Sequence, residues 1–266
     1  MNTKIFGIVN ITKDSFSDGG KFFEAEAAIS HALKLAEAGA YAIDLGPASS
    51  NPNAGEVPAA EEIRRLEPVV ARLQEENITI SIDSYRTATQ RWAIHKNITY
   101  LNDIQGFADR NFYEELASSG CQLIVMHAIQ RFGKAQKRYS DPQTIMDTIY
   151  RFFDDRLAAL ENAGVNRQRL ILDPGMGFFL GSNPEASLEV LRSIPALKQR
   201  YDLPVFISVS RKSFLRKLTG QDVGSVQAAT LSAEIYAALQ GADYIRTHDV
   251  QALNDALTIQ NALRKQ

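Results

Sequence analysis

Eight short apolar runs in this 266-residue chain each end in a residue that can do chemistry. In order those ends are Asn10, Asp44, Asp83, Asn102 with Asp103, His127, Asp173, Ser210, and Arg246 with His248. Asp83, Asn102 and Asp173 supply acceptors plus an amide that also donates, a set suited to a heterocycle edge with adjacent N–H donors. Lys212, Arg246 and His248 supply donors and positive charge for a phosphate or a developing anion. The ligand implied is a flat polar heterocycle that carries an anion. Four scattered histidines and one cysteine show no metal-ligand spacing. A magnesium ion brought in by a diphosphate suits the chain better, with Asn10 as an oxygen ligand.

Something must bring these ends together. The runs are KIFGIVN, YAIDLG, ITISID, ITYLND, QLIVMH, RLILD, PVFISVS and YIRTH, and between them lie stretches with helical apolar spacing. Gly39, Gly164 and Gly241 each close a helical stretch just before a strand, the usual left-handed stop. Near-continuous apolar strands joined by helices imply a parallel sheet covered on both faces. Eight such units over this length predict an α/β (β/α)8 barrel, one domain spanning 1–266, whose strand ends open on one face. An open doubly wound sheet is the alternative. SRKS, residues 210–213, leads into a helix after the seventh strand, where barrels often hold anions. FSDGGKFF and GPASSNPNAGEVP match no nucleotide-binding fingerprint and read as loops over the barrel mouth.

Composition narrows the partners. A net charge of −2, with 45% hydrophobic residues, gives no electrostatic footprint for nucleic acid or an acidic membrane. The lone Cys121 excludes a disulfide framework and sits in the apolar run GCQLIVMH, as a small core residue would. The N-terminal MNTKIFGIVN has no signal-peptide pattern and no run is long enough to span a membrane, so the expected location is cytoplasmic.

FGIVNITKDSFSDGG, IDLGPASSNP, SIDSY, YLNDIQGF, LILDPGMGF, SVSRKSF and YIRTHDV, in that order, resemble the dihydropteroate synthases. Within them, GPASSNP, NDIQGF, DPGMGFFLG and VSRKSFL are most similar to the acquired, sulfonamide-insensitive members. The resemblance implies a barrel that joins 6-hydroxymethyl-7,8-dihydropterin diphosphate to 4-aminobenzoate, releasing diphosphate, with magnesium as cofactor and a homodimer as the expected assembly. It assigns the pterin to Asp173, Asn102, Asp83, Lys212 and Arg246, with Lys212, Arg246 and Asp83 as catalytic groups. Asn10, Arg246 and His248 would hold the diphosphate, with Asn10 on the metal. Ser213 and the helix start after it would take the aminobenzoate carboxylate, with Ser50, Pro52, Phe178 and Phe179 around the ring. The loops at 14–20 and 49–52 would close over the reactants.

Two departures stand out. Many members carry Ser-Thr-Arg-Pro where this chain has Ser49, Ser50, Asn51 and Pro52, which removes one cation from that loop. GMGFFLG is also longer and more apolar than the family's compact glycine turn. Phe178 and Phe179 are expected to form a wall past the carboxylate position that spares flat aminobenzoate and clashes with a tetrahedral sulfonamide. The alternative is that they merely anchor the loop in the core. The rival functions are a pterin-dependent methyltransferase, which shares the Asp173 and Asn102 logic, and a non-catalytic pterin carrier.

Overall fold

The computed structural model describes residues 2–11, 21–48, 55–129 and 141–264. Eight strands carry the sheet: β1 (Lys4–Asn10), β2 (Ala42–Gly46), β3 (Ile80–Asp83), β4 (Tyr100–Asp103), β5 (Gln122–Met126), β6 (Leu170–Asp173), β7 (Phe206–Ile207) and β8 (Tyr244–Thr247). All pair in parallel in the order β6-β5-β4-β3-β2-β1-β8-β7. Leu172 closes the cylinder, pairing with Val205 and donating its N–H to Pro204 O at 2.9 Å. The result is a (β/α)8 barrel, and the open-sheet alternative is excluded.

The helices form the outer layer. They are α1 (Lys21–Glu37), α2 (Ala59–Glu75), α3 (Thr87–His95), α4 (Tyr113–Ser118), α5 (Ile145–Asn162), α6 (Pro184–Arg192), α7 (Ile194–Tyr201), α8 (Ser213–Thr219), α9 (Gln227–Leu239) and α10 (Val250–Leu263). Gly39, Gly164 and Gly241 have φ of 94°, 92° and 96°, so the predicted helix stops are present. The main core fills the layer between helices and strands, where Leu45, Leu66, Val69, Leu101, Leu123 and Ile245 are almost fully buried.

A second cluster plugs the N-terminal end of the barrel: Phe6, Tyr100, Ile124, Ile171 and Phe206, with Tyr244 against them. The Phe6 ring meets Tyr100 and Phe206 edge-on at 5.1 Å each, and Tyr244 at 5.5 Å. Below it Tyr41 and Tyr100 share a hydroxyl contact of 3.2 Å, and Lys4 Nζ lies 4.1 Å from the Tyr41 ring centre.

Strand register lines up the opposite end. Asp83 is level with Asn102, and Met126 with Asp173. The seventh strand is shorter than the run PVFISVS suggests, extending only over Phe206–Ile207 with an isolated bridge at Val205. Beyond Ser208 the chain turns, with Lys212 N–H donating to Val209 O at 3.1 Å and Arg211 at φ 58°. No described helix is long and apolar enough to cross a membrane.

Candidate active site

The deepest element of the barrel mouth is a buried ion triad. Arg246, on β8, donates Nε to Asp44 Oδ2 on β2 and Nη2 to Asp83 Oδ2 on β3, the latter at 2.8 Å. Asp44 is fully buried, while the Arg246 and Asp83 side chains keep 12% and 19% exposure toward the cleft. Burial pushes the Asp83 carboxyl up to about 7 against the pull of Arg246.

Above the triad lies a cleft lined by Asp83, Asn102, Asp173, Ser208, Lys212 and Arg246, with Ile104, Met126, Met176 and Phe179 as its apolar faces. Five residues read from the sequence as the heterocycle site therefore meet around one space. Asp173, 3% exposed, is pushed up to about 6 by burial, and its Oδ1 accepts the Gly175 N–H at 2.8 Å. Lys212 is pulled down to about 8, first by burial and then by neighbouring Arg246. Its Nζ stands 5.0 Å from the Phe179 ring centre. Asn102 Oδ1 and Ser208 Oγ are buried without a hydrogen-bond partner among the described residues. Each such atom costs about 1–3 kcal/mol unless a ligand satisfies it, so the cleft is built for a polar guest between apolar walls.

The supports are backbone turns and buried side chains. Gly175 has φ 78°, and a Cβ there would sit 2.4 Å from His127 O, so only glycine lets the turn after Asp173 fold against β5. His127 takes no part in the cleft: it is 1% exposed, pairs Nδ1 with Pro174 O at 3.1 Å, and burial lowers it to about 4. Gln90, on α3, donates to Ser84 O at 2.7 Å and to Asp103 Oδ2 at 2.8 Å, lacing together the ends of β3 and β4.

Ser210, Arg211 and Ser213 face two further hollows. Ser213 and Phe178 line one that also takes in Asn183, Arg216, Lys217 and Gln221. Ser210, Arg211 and His248 line the other. Ser210 Oγ lies 2.8 Å from His248 Nδ1, and burial, then Arg211, holds His248 near 3 and therefore neutral. Asn10 is exposed at the end of β1, its Oδ1 beside Gly46. A single exposed amide oxygen suits a magnesium ion that keeps its waters and arrives with a phosphate ligand, and the described residues contain no cluster able to hold a metal by themselves. Ser50 and Pro52, with the loops at 14–20 and 49–52, lie outside the described residues.

Phe178, Phe179 and Leu180 form a 3₁₀ turn, Gly177–Leu180, and separate. Phe178 is half-buried beside Ser213, Phe179 is 4% exposed in the heterocycle cleft, and Leu180 is fully buried in the main core.

The family described as "Pterin binding enzyme" matches residues 6–248. Dihydropteroate synthase type-3 of Escherichia coli is 54% identical over 261 residues, covering 98% of this chain and 99% of that protein. The chain belongs to the dihydropteroate synthases. The type-2 enzyme of Escherichia coli is 55% identical over 98% of this chain and 96% of its own length. A solved Xanthomonas albilineans dihydropteroate synthase with 4-aminobenzoic acid superposes with a TM-score of 0.91 at 34% identity, covering 100% of this chain and 94% of that one. As a dihydropteroate synthase the chain is a transferase of folate biosynthesis, of the acquired type that GPASSNP and DPGMGFFLG resemble. Motif reading did not reach Ser208, Ile104, Met126 and Met176 of this synthase's cleft, or the partnership of Asp44 with Arg246. Ser208 was visible as a hydroxyl inside an apolar run, whereas the apolar residues looked like any other core.

Proposed function

We propose that this synthase condenses 6-hydroxymethyl-7,8-dihydropterin diphosphate with 4-aminobenzoate, and that it does so in the presence of sulfonamides. The observation that carries the reading is the central cleft, where the buried acceptors of Asp173 and Asn102 flank a slot walled by Met126, Ile104 and Phe179. A pterin's pyrimidine edge offers the matching N–H donors, and its ring matches the apolar faces. An Anaplasma phagocytophilum dihydropteroate synthase with bound 6-hydroxymethylpterin-monophosphate superposes with a TM-score of 0.88 at 35% identity, covering 99% of this chain and 100% of that one.

The reaction breaks the bond between the pterin methylene and the diphosphate oxygen, and the electron pair leaves on that oxygen. Arg246 and the N–H donor of His248 receive the charge. The arylamine nitrogen then forms the C–N bond and releases its proton. No strong base is needed, so positioning and electrostatics supply the catalysis. Lys212 stands between the two reactants, and Ser213 faces the aminobenzoate carboxylate. Asn10 would hold magnesium, which neutralises diphosphate charge when bound.

Phe178 carries the drug discrimination in this reading, because it stands beside Ser213 where a sulfonyl group would project. Phe179 belongs to the pterin wall. The exposed Tyr236, Leu239, Ile259 and Leu263 on α9 and α10 support a homodimer through that face, which light scattering would test.

Turnover decides between this reading and its rivals. The purified chain with both substrates and magnesium should release diphosphate and form dihydropteroate. A methyltransferase or a carrier would bind the pterin and form neither.

A further inference from the structure

Five non-glycine residues have positive φ among the described residues. Asn77, Asn97 and Asp202 are of types that tolerate the left-handed region, and each follows a helix. Phe107, at 62°, is 2% exposed and held by packing. Arg211, at 58°, is exposed, so packing does not account for it. That conformation is unfavourable for an ordinary side chain, and strain of this kind collects at functional sites.

Arg211 lines a hollow together with Ser210, Thr230, Glu234 and His248. Its N–H donates to Thr230 Oγ1 at 3.2 Å, and among the described residues its guanidinium has no hydrogen bond or ion pair. After burial, Arg211 is the largest influence lowering His248, ahead of Arg246 and Lys212, and it also lowers His31 on α1. Two acids, Glu234 and Asp249, share the hollow. Burial pushes Glu234 up to about 8, so it is protonated at neutral pH. Asp249 is turned to cap α10, accepting the Ala252 N–H at 3.1 Å. Facing that one carboxylate are a guanidinium and the hydroxyl and imidazole of Ser210 and His248, a donor set of phosphate-binding chemistry.

We propose that Arg211, with Ser210 and His248, forms a subsite for the outer phosphate of the leaving group, and so selects diphosphate over monophosphate. The subsite presupposes the activity proposed above, which supplies the diphosphate. Arg211 receives the far end of the departing anion, Arg246 serves the end nearest the breaking bond, and His248 reaches both from between them.

Calorimetric titration with magnesium and inorganic diphosphate, inorganic phosphate or phosphate-free 6-hydroxymethylpterin tests this. The parent should bind diphosphate at least tenfold more tightly than phosphate. Arg211→Gln should lose at least tenfold for diphosphate, about 1.4 kcal/mol, with phosphate and the pterin unchanged. Arg211→Gly relieves the backbone strain, so it should melt at or above the parent temperature while showing the same loss. Diphosphate affinity within twofold of the parent in either variant would overturn the subsite, as would an equal loss for the phosphate-free pterin. A parent that neither binds diphosphate nor releases it in turnover defeats the activity itself, a result distinct from variants that match a working parent.

Discussion

Replacing Arg246 with methionine tests the centre of the site. The guanidinium engages Asp44, which is fully buried, and Asp83, whose side chain is 19% exposed. Methionine keeps much of the volume but leaves two carboxylates without their cation. Removing one partner from a buried pair costs about 3–5 kcal/mol. Protonation offsets part of that. Burial already pushes Asp83 up to about 7 with Arg246 present, so without it the carboxyl takes up a proton near neutral pH. A folded-state pKa above the unfolded value means the folded chain binds more protons, so stability is lost as pH rises through the folded pKa. Between pH 6 and pH 8 that is worth up to about 2.7 kcal/mol per carboxyl that stays protonated. Taking about 2–4 °C per kcal/mol for a chain near this size, the variant should melt roughly 6–20 °C below the parent at pH 8. The gap should narrow clearly at pH 6. Scanning calorimetry of parent and variant at both pH values reads this directly, and Asp44→Asn added to Arg246→Met should recover stability but not turnover. A variant that melts within about 2 °C of the parent at pH 8, with no change in that gap at pH 6, would show that the triad does not hold buried charge.

In Asp173→Asn the side chain keeps an oxygen for the Gly175 N–H and turns its NH2 toward the ligand, so affinity for 6-hydroxymethylpterin should fall about ten- to a hundredfold; near-parent binding would remove Asp173 from the site. In the parent, affinity for that pterin should decline as pH drops through about 6, where Asp173 takes up a proton and stops accepting from the ligand edge; a flat profile from pH 8 to pH 5 contradicts the role. Phe178→Ala should make sulfonamides inhibitory by about ten- to a hundredfold with modest loss of activity, and an active variant that stays insensitive shows the wall lies elsewhere. Phe179→Ala should instead weaken pterin binding and cost about 3–5 kcal/mol of stability, measured by denaturant unfolding.

The barrel was legible because its signal repeats. Each strand is a buried apolar run with a polar end, and parallel pairing in register brings Asp83, Asn102 and Asp173 to the same rim. Neighbours distant in the chain left no such trace: Arg246 and Asp44 are 202 residues apart, and nothing local to either names the other. The run Phe178-Phe179-Leu180 shows a different limit. In a 3₁₀ turn consecutive side chains point about 120° apart, so three similar residues reach a hollow, a binding cleft and the core. The structure therefore gives Phe178 and Phe179 different surroundings, the one beside Ser213 and the other in the cleft, while Leu180 anchors the turn in the core. A variant shortened through Leu180 would confound drug access with core damage, which is why single substitutions are the cleaner test.

The aromatic plug at the foot of the barrel makes the chamber a cul-de-sac. With Phe6, Tyr100, Phe206 and Tyr244 packed across the lower end, traffic uses the mouth alone. On the proposed reading the pterin occupies the innermost berth and the arylamine the one nearer the doorway. The arylamine arriving early would bar the pterin's route, so a sealed floor imposes a queue: deepest guest first. Once the two are joined, the longer product has to back out through the same doorway, and its withdrawal clears both berths together.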